Sequence, residues 1–392
     1  MKTNYDVIIV GGGPAGSIAG KMIAESSVSV CILEKDRDIG YPVRCGEAVS
    51  EGGLRQFVEP RDSWIATKIS EFRLISPNGT KIDAHLTSQQ GFILNRRIFD
   101  YDLAQIASDK GTEIYTKAYV SDLIVENNKI CGVKVEHFGE EKDIRAKLVI
   151  GADGVESRIG RWAGLRTQLK MKDIESCVQY TVANVDVHPN RIDFYMGETY
   201  SPGGYLWVFP KGNGMANIGL GISGKFNGQK SAKKWLDEFM DREYPNASIL
   251  TTVCGGVPCA KPMKNPITDN LMLIGDAAHF VNPMTGGGII SAMKSGWIAG
   301  QVASESIKKN DTSAEQLQKY AKEVKKAFGD NHKRFYRIKE TISEFSDADL
   351  NGIAEKIAKI PVGNRTLTKI FKAAVSKKPS LILDVVKVFT GI

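Results

Sequence analysis

The stretch Gly11-Gly12-Gly13-Pro14-Ala15-Gly16 decides how this chain folds. It lies between an apolar run at residues 5–10 that predicts a strand and a segment at about residues 17–25 that predicts a helix. In a G-x-G-x-x-G pattern the first glycine permits the turn, the second lets the backbone approach a pyrophosphate, and the third lets helix and strand pack closely. The glycines at these three places are Gly11, Gly13 and Gly16.

A second apolar strand, residues 28–33, follows the predicted helix and ends at Glu34. A carboxylate at this place can accept hydrogen bonds from both hydroxyl groups of a ribose. The two strands and the helix between them form one βαβ unit, and the N-terminus of that helix offers partial positive charge to phosphate groups. The sequence therefore predicts a dinucleotide-binding sheet at the start of the chain.

A second group of cofactor signals stands near the other end. Residues 270–274 predict one more buried strand, and Gly275 and Asp276 follow it. The aspartate can reach the ribityl or pyrophosphate part of an extended cofactor, and the glycines at 286–288 let the backbone approach a flat ring. A helix that begins at Ile289 would stabilise negative charge on a reduced flavin. The two groups together predict FAD rather than NAD, bound to one sheet built from both ends of the chain.

Between these signals the sequence alternates in the manner of an antiparallel sheet, from residue 177 to residue 221. Tyr205, Trp207 and Phe209 occupy alternate positions there, which would place three aromatic faces on one side of a strand. Taken alone, this pattern indicates ordinary core packing. The flavin signals on both sides place it beside a redox centre instead, with Phe209, further along, expected to be core.

The composition is that of a globular protein, since 42% of the 392 residues are hydrophobic and 25% are charged. No apolar run approaches the roughly 20 residues that a membrane-spanning helix needs. The first strand begins too soon after Met1 to leave room for a signal peptide, so we expect a cytoplasmic protein. The six cysteines form no Cys-x-x-Cys pair and have no histidine at ligand spacing, so no metal site is predicted.

Positive charge gathers in the tail, which is predicted to be helical. The formal net charge is +7, and residues 312–378 contain fifteen Lys or Arg against eight Asp or Glu. Thr312 with Glu315, and Ser346 with Asp349, have the spacing of capping boxes at two helix starts. The basic tail could contact anionic lipid at the inner face of the cell membrane, or it could be a solvated helical face. Nucleic acid is not expected as a partner.

The chain resembles the flavoprotein monooxygenase superfamily, which has the para-hydroxybenzoate hydroxylase fold. Three markers carry this resemblance, namely Gly11 to Gly16, Gly151-Ala152-Asp153-Gly154, and Gly275-Asp276. A second, narrower resemblance rests on Arg44-Cys45-Gly46-Glu47 together with Tyr205-Leu206-Trp207-Val208-Phe209-Pro210. This pairing is similar to the geranylgeranyl reductase family, and within it to the archaeal digeranylgeranylglycerophospholipid reductases.

The resemblance implies an α/β (α+β) fold in which an antiparallel-sheet domain is inserted into a Rossmann-like FAD-binding domain. We predict that the FAD-binding domain comprises residues 1–75, 92–170 and 254–308. Residues 76–91 and 171–253 would form the substrate domain, and residues 309–392 a helical C-terminal region. No second G-x-G-x-x-G occurs, so no separate nicotinamide-binding domain is expected.

The resemblance also implies a reaction, in which hydride from N5 of reduced flavin saturates isolated double bonds of geranylgeranyl chains in archaeal membrane lipid precursors. Tyr205, Trp207 and Cys45 would be the catalytic residues. Tyr205 and Trp207 would line the substrate cavity and shelter a transition state with cationic character, and Cys45 would lie at the flavin face. The electron donor would be NAD(P)H, ferredoxin or another reduced carrier. The implied cofactor contacts are Gly11, Gly13, Ala15, Gly16, Glu34, Cys45, Gly46, Ala48, Arg96, Val120, Asp276, Gly287, Gly288 and Ile289.

Two other functions share these signals. A flavin monooxygenase or halogenase of a small aromatic substrate would have every flavin motif, and its pocket would be too short for a C20 chain. A non-catalytic protein that binds membranes through its basic tail is the third interpretation. Cys254 and Cys259 leave a redox partnership with Cys45 open as well.

Overall fold

The computed structural model describes residues 1–86, 90–226, 228, 230–376 and 378–390. In chain order the strands are β1 Asn4–Val10, β2 Val30–Leu33, β3 Ala48–Ser50, β4 Ile65–Ile69, β5 Glu71–Ile75, β6 Lys81–His85, β7 Gly91–Leu94, β8 Glu113–Tyr115, β9 Ala118–Glu126, β10 Lys129–His137, β11 Glu140–Gly151, β12 Glu175–Ala183, β13 Arg191–Met196, β14 Tyr205–Gly212, β15 Met215–Ser223, β16 Ser248–Val257, β17 Ile267–Thr268 and β18 Leu271–Leu273. The α-helices are α1 Pro14–Ala24, α2 Glu51–Leu54, α3 Arg96–Asp109, α4 Arg158–Trp162, α5 Ala232–Glu243, α6 Ile289–Lys308, α7 Ala314–Val324, α8 Asp330–Ile342, α9 Asp347–Ala358, α10 Leu367–Ala374 and α11 Pro379–Thr390.

The first sheet joins both ends of the chain, as the cofactor signals predict. Its strand order is β17-β18-β11-β1-β2-β8, and β10 and β9 extend it from β11. The central pairs β11 with β1 and β1 with β2 are parallel, and so is β11 with β18. Their register aligns the carboxyl ends of four strands at Leu33, Val10, Gly151 and Leu273. In open sheets of this kind the ligand lies outside those carboxyl ends.

Helix α1 begins at Pro14, three residues before the start predicted from the apolar pattern. Proline suits the first turn of a helix, because its missing N–H would have no partner there. Gly16 therefore lies inside the helix, where an added Cβ would stand 2.0 Å from the carbonyl oxygen of Gly11. The fingerprint glycine at this place lets the helix approach the end of β1.

The second large sheet has seven strands in the order β16-β12-β15-β14-β13-β5-β6. All of its pairs are antiparallel except β13 with β5. Helix α5 covers one face and closes a core that includes Val178, Tyr180 and Leu206. The other face, which carries Tyr205 and Trp207, is directed toward the first sheet and its loops.

Two of the predicted domain borders divide paired strands. The border after residue 75 separates β5 from β6, although these strands form a hairpin and both belong to the seven-stranded sheet. The border before residue 254 falls inside β16, which pairs with β12 along its whole length. The sequence misplaced both borders because composition does not change where the chain passes from one sheet to the other.

The C-terminal region is helical, as expected. Ser346 and Asp349 form the predicted capping box at α9. The other predicted cap is wrong by one residue, since α7 is capped by Ser313, whose Oγ accepts a hydrogen bond from the Gln316 backbone N–H. Thr312 instead donates its hydroxyl to Asn270. No helix within the described ranges is long and apolar enough to cross a membrane.

Helices α1 and α6 pack so closely that a side chain at Gly296 has no room. A Cβ added there would lie 2.2 Å from the carbonyl oxygen of Ala15. We expect Gly296→Ala to push the two helices apart and to lower the free energy of unfolding by about 1–3 kcal/mol. Urea unfolding followed by circular dichroism measures the loss.

Gly352→Ala is the matched control, because Gly352 lies in α9 with nothing within 4 Å of its added Cβ. Its replacement should leave stability unchanged or raise it by up to about 1 kcal/mol through helix propensity. Equal stability of the two variants would show that the contact between α1 and α6 tolerates a methyl group.

Candidate functional site

A cleft of about 220 Å³ opens at the carboxyl ends of β1, β2 and β11. Several residues predicted to bind the cofactor lie in its wall, namely Gly11, Gly13, Glu34 and Val120. Gly13 is the N-cap of α1, and a Cβ added to it would meet nothing within 4 Å. The space in front of this helix N-terminus is therefore open to a ligand, where backbone N–H groups favour an anion.

Glu34 is fixed in the cleft by the backbone on both sides of it. Its Oε2 accepts a hydrogen bond from the Gly12 N–H at 2.8 Å, and its Oε1 accepts one from the Asp36 N–H at 2.9 Å. The carboxylate is thus oriented before any ligand arrives. Its remaining lone pairs can accept ribose hydroxyls, which is the role that the sequence predicts.

Asp153 supplies a further acceptor in the same cleft. Its Oδ2 accepts a hydrogen bond from the Ile159 N–H at 3.0 Å, whereas its buried Oδ1 has no partner in the part of the chain that the structure describes. Burial raises the pKa of this carboxyl. An unpaired buried acceptor costs free energy unless a ligand satisfies it. The sequence marked Asp153 as a fold signature without assigning it to the ligand.

The far end of the site is formed where β18 leads into α6. Burial raises the pKa of Asp276 to about 6, and Arg96 opposes that shift. Oδ1 of Asp276 would lie 3.2 Å from a Cβ added to Gly288, the N-cap of α6. Ile289 is the first residue of the helix, and Gly287 precedes the cap. A carboxyl group, glycine backbone and a helix N-terminus therefore meet at one point, which suits the charged edge of a flavin ring.

Ala15 lies in the first turn of α1, and its side chain is buried against the turn at Gly275. The Cβ of Ala15 is 3.2 Å from a Cβ added to Gly275. Ala48 is the first residue of β3 and is half-buried. The structure thus places Ala15 between the two halves of the predicted cofactor site.

The Arg-Cys-Gly-Glu loop is held by one buried carboxylate, that of Glu47. It accepts hydrogen bonds from the Arg96 backbone N–H at 2.8 Å and from Nδ2 of Asn217 at 2.6 Å, and it forms an ion pair with Lys211. Glu47 has a φ of 71°, in the left-handed region, and only 4% of the residue is exposed. These contacts join the loop to the start of α3 and to β14 and β15.

Arg96 is directed at the same loop. Its Nε donates a hydrogen bond to Asp100 at 3.1 Å. Burial opposes the charge of the guanidinium, but the carboxylate of Asp100 and the side chain of Cys45 raise its pKa. Arg96 therefore stays cationic beside Cys45.

The three aromatic residues lie on one face of β14, as predicted. Tyr205, Trp207 and Phe209 stand directly opposite Gly221, Gly219 and Asn217 of β15. Because Gly219 has no side chain, the Trp207 ring lies against it, and a Cβ added to Gly219 would be 2.5 Å from Cζ2 of Trp207. The two glycines therefore make room for the Trp207 ring and for Cys177, whose Sγ would lie 2.8 Å from a Cβ added to Gly221.

Polar contacts fix the orientation of two rings. Nε1 of Trp207 donates to Oε1 of Gln179 at 3.0 Å, and Nε2 of Gln179 donates to the Cys45 carbonyl oxygen at 2.9 Å. The hydroxyl of Tyr205 donates to the carbonyl oxygen of Thr285, just before the glycine run. The aromatic face is therefore tied to both loops that the sequence assigns to the flavin.

Phe209 is buried among Ile69 and Ile93, which confirms the expectation that it is a core residue. Its ring also limits the loop, since a Cβ added to Gly46 would lie 2.8 Å from it. Gly46 thus lies directly against the aromatic strand.

All six cysteines are free thiols. Cys254 is exposed on β16, whereas Cys259 is buried. Strand β16 continues beyond Cys254 as far as Val257. Cys45 is half-buried, and its Sγ accepts a hydrogen bond from the Glu47 N–H at 3.2 Å.

Sequence reasoning missed Gln179, Lys211 and Asn217, although they connect the loop to the sheet. Alternation along β12 places Gln179 on the face of Cys177, which was the one available signal. Nothing local distinguishes Lys211 from any lysine at the end of a strand, because its partner Glu47 is 164 residues away.

Known proteins resemble both the segment that forms the aromatic sheet and the chain as a whole. Residues 173–257 match the family model described as the geranylgeranyl reductase catalytic domain, which spans β12 to β16. A digeranylgeranylglycerophospholipid reductase from Methanocella arvoryzae is 43% identical over 98% of this chain and 99% of its own length. A second protein so named, from Methanococcoides burtonii, is 44% identical over 100% of this chain and 96% of its own.

Solved structures agree on the fold. A geranylgeranyl bacteriochlorophyll reductase-like protein from Thermoplasma acidophilum superposes with a TM-score of 0.91 at 37% identity, covering 98% of this chain and 99% of that one. A flavin-dependent brominase superposes with a TM-score of 0.69 at 19% identity, over 96% of this chain and 100% of its own. At that identity the brominase shows the fold alone.

Removal of the cation beside Glu47 should weaken the whole site. We expect Lys211→Met to leave a buried carboxylate without its ion-pair partner and to lower the free energy of unfolding by about 3 kcal/mol. Urea unfolding at neutral pH measures this loss. Lys233→Met is the matched control, because its pair with Asp237 is exposed and should contribute less than about 1 kcal/mol. Similar losses in both variants would contradict a special role for Glu47.

Proposed function

The chain belongs to the geranylgeranyl reductase family, and from that premise we propose that it reduces digeranylgeranylglycerophospholipid with a flavin. The reaction saturates isolated carbon–carbon double bonds of the geranylgeranyl chains, so the enzyme is an oxidoreductase acting on CH–CH groups. Relatives of about 40% identity over their full length carry the name of this reductase. The observation that supports it most is that the aromatic face of β14 is tied to both predicted flavin loops, through Gln179 and through Thr285.

We propose FAD as the flavin. The cleft beside Glu34, Val120 and Asp153 offers acceptors for a ribose next to the open N-terminus of α1, which fits an adenosine and a pyrophosphate. Asp276 and the N-terminus of α6 fit the opposite end of the same extended cofactor. When bound and reduced, the flavin supplies the hydride.

The residues of the aromatic face bind and orient the alkene. An isoprenoid double bond carries no group that accepts charge, so its reduction passes through a state with some positive charge on carbon. Trp207 and Tyr205 present their ring faces to that charge, and cation–π attraction contributes roughly 0.5–2 kcal/mol for each ring. Their polar atoms are already hydrogen-bonded to Gln179 and Thr285, so the rings are held in position before the alkene binds.

The monooxygenase or halogenase alternative has weaker support. Its solved representatives are below 20% identity and share the fold with this chain. The match of residues 173–257 to a reductase catalytic domain covers the strands that form the substrate face. We therefore keep reduction of a lipid alkene as the one proposed function.

The same proposal includes an external electron donor and a membrane contact. Electrons reach the flavin from NAD(P)H, ferredoxin or another reduced carrier. Helices α10 and α11 offer a surface for anionic lipid, because α10 carries the exposed Leu367 together with Lys369 and Lys372, and α11 carries the exposed Leu383.

The proposed reaction is tested by weighing the product. Anaerobic, dithionite-reduced enzyme whose released flavin has the mass of FAD is incubated with unsaturated digeranylgeranylglycerophospholipid. The lipid should gain mass in steps of two hydrogens. Trp207→Ala should slow the reaction by about 2- to 30-fold, the range that corresponds to one cation–π contact. The rate of Trp207→Phe should lie between those of the wild type and Trp207→Ala, since this variant keeps an aromatic ring but loses the hydrogen bond to Gln179.

Trp235→Phe is the control for these variants, because Trp235 lies on α5 and packs against the opposite face of the same sheet. It should retain full activity. A lipid of unchanged mass, from enzyme with a full complement of FAD, would overturn the proposed function.

The membrane contact is tested with Leu367→Glu combined with Leu383→Glu. Two acidic residues on this surface should reduce co-sedimentation with anionic phospholipid vesicles at least tenfold. Phe138→Glu is the matched control, since Phe138 is 74% exposed on the hairpin between β10 and β11. Equal binding of all three proteins would exclude α10 and α11 as the contact surface.

A further inference from the structure

Glu175 is a buried carboxyl group on the substrate face of the sheet. It begins β12 and shares its face with Cys177 and Gln179, at the end away from Phe209. Only 7% of the residue is exposed. Its Oε1 lies 3.3 Å from Nζ of Lys339, which reaches it from α8. Glu175 has no role in the binding and orientation of the alkene proposed above.

One oxygen of Glu175 has no partner. Among the residues that the structure describes, nothing donates to its buried Oε2. Lys339 divides its hydrogen bonds between the carbonyl oxygens of Lys172 at 3.2 Å and Cys259 at 3.1 Å. The ammonium is thus fixed by backbone and holds one side of the carboxyl group, while the other side is free for a ligand.

Glu175 lies next to the aromatic row. Its Cβ would be 3.6 Å from a Cβ added to Gly221, the residue directly opposite Tyr205. Glu175, Cys177 and Cys259 all act electrostatically on the Tyr205 hydroxyl. The carboxyl group therefore adjoins the row of aromatic rings on the same face of the sheet.

Five charged or titratable side chains face Glu175, each from a different segment of the chain. Burial raises its pKa to about 7, Lys339 of α8 opposes that shift, and Asp173, just before β12, adds to it. The other groups facing it are Cys177 on its own strand, Cys259 after β16 and Tyr205 on β14.

The neighbouring groups are poor acids at neutral pH. Burial raises the pKa of the Cys177 and Cys259 thiols well above the usual value. Burial raises the pKa of the Tyr205 phenol too, and its proton is engaged with Thr285. A general acid works best when its pKa is close to the working pH, which favours the carboxyl group among these candidates.

On the premise of the proposed function, we propose that Glu175 is the proton donor of the reduction and that Lys339 is its positioning residue. The π electron pair of the double bond forms a C–H bond at one carbon with the proton of Glu175, and positive charge develops on the other carbon. That carbon gains a hydride, with its two electrons, from the reduced flavin. The carboxylate left behind is balanced by Lys339 and regains a proton from solvent before the next double bond.

Single-turnover lipid reduction by flavin-loaded, reduced enzyme is the first test. Glu175→Gln keeps the shape and removes the acid, so the rate should fall about 100-fold or more, while lipid binding and reduction of the flavin by dithionite are unchanged. In the wild type the rate should decline above about pH 7 as the acid ionises. Glu340→Gln is the control, since this neighbour of Lys339 pairs with Lys172 at the surface and should change neither rate nor profile.

Lys339→Met separates proton donation from a purely structural role. Loss of the cation disfavours the carboxylate, so the alkaline decline should move upward by about one pH unit. A pH–rate profile of Lys339→Met identical to that of the wild type would overturn the role of Lys339. A Glu175→Gln rate within about threefold of wild type, with the same profile, would overturn that of Glu175.

Infrared spectra of the oxidised, lipid-free holoenzyme supply a readout without turnover. The difference between the wild-type and Glu175→Gln spectra should contain a protonated carboxyl band near pH 6 that disappears by about pH 8, because the bands of other buried carboxyl groups such as Asp276 cancel. A carboxyl group that is ionised throughout would overturn the proposal. Wild-type enzyme that reduces no lipid but shows this band would instead overturn the proposed function.

Discussion

The carboxylate of Glu47 is the constraint on which the site depends. It is buried, and it joins the loop at Cys45 to Lys211, Asn217 and the start of α3. A buried ion pair of this kind adds little net stability, because desolvation offsets most of the attraction. The ion pair instead fixes the position of the loop, since a displaced loop would leave the buried charges of Glu47 and Lys211 unpaired. A single side chain thus sets the distance between the loop and the aromatic sheet.

Once that distance is set, the order of residues across the sheet follows from strand register. Phe209, Trp207 and Tyr205 run along β14, and Asn217, Gly219 and Gly221 run beside them along β15. The row proceeds from a packed core residue, through rings held by hydrogen bonds, to a buried acid at the start of β12. An apolar chain laid along this row would meet the aromatic rings first and the proposed proton donor at the end of the row.

The sequence predicted the parts of this arrangement that depend on local pattern. The fingerprint, the alternation at Tyr205 and Trp207, and the helix start at Ser346 all involve residues within a few positions of one another. The apolar pattern does not mark the start of α1, because that helix begins with Pro14 and three small residues before its first large apolar side chain. The cap of α7 is ambiguous in the sequence, because the adjacent Thr312 and Ser313 are both residues that cap helices. The contacts that Gln179 and Lys211 make with the loop could not be predicted, since their partners lie 134 and 164 positions away.

Helix α8 connects the C-terminal region to the proposed proton donor, because it carries Lys339. Lys339 points from one side of α8 to Glu175, and Arg337, on the other side of the same turn, donates to Asp384 of α11 at 2.8 Å. One rigid helix therefore links the proposed acid to the helix that carries the exposed Leu383. A tail that served only to bind membranes would have no reason to place a buried lysine beside a buried acid. The structure thus favours a tail that completes the active site and, through α11, fixes its position relative to the lipid.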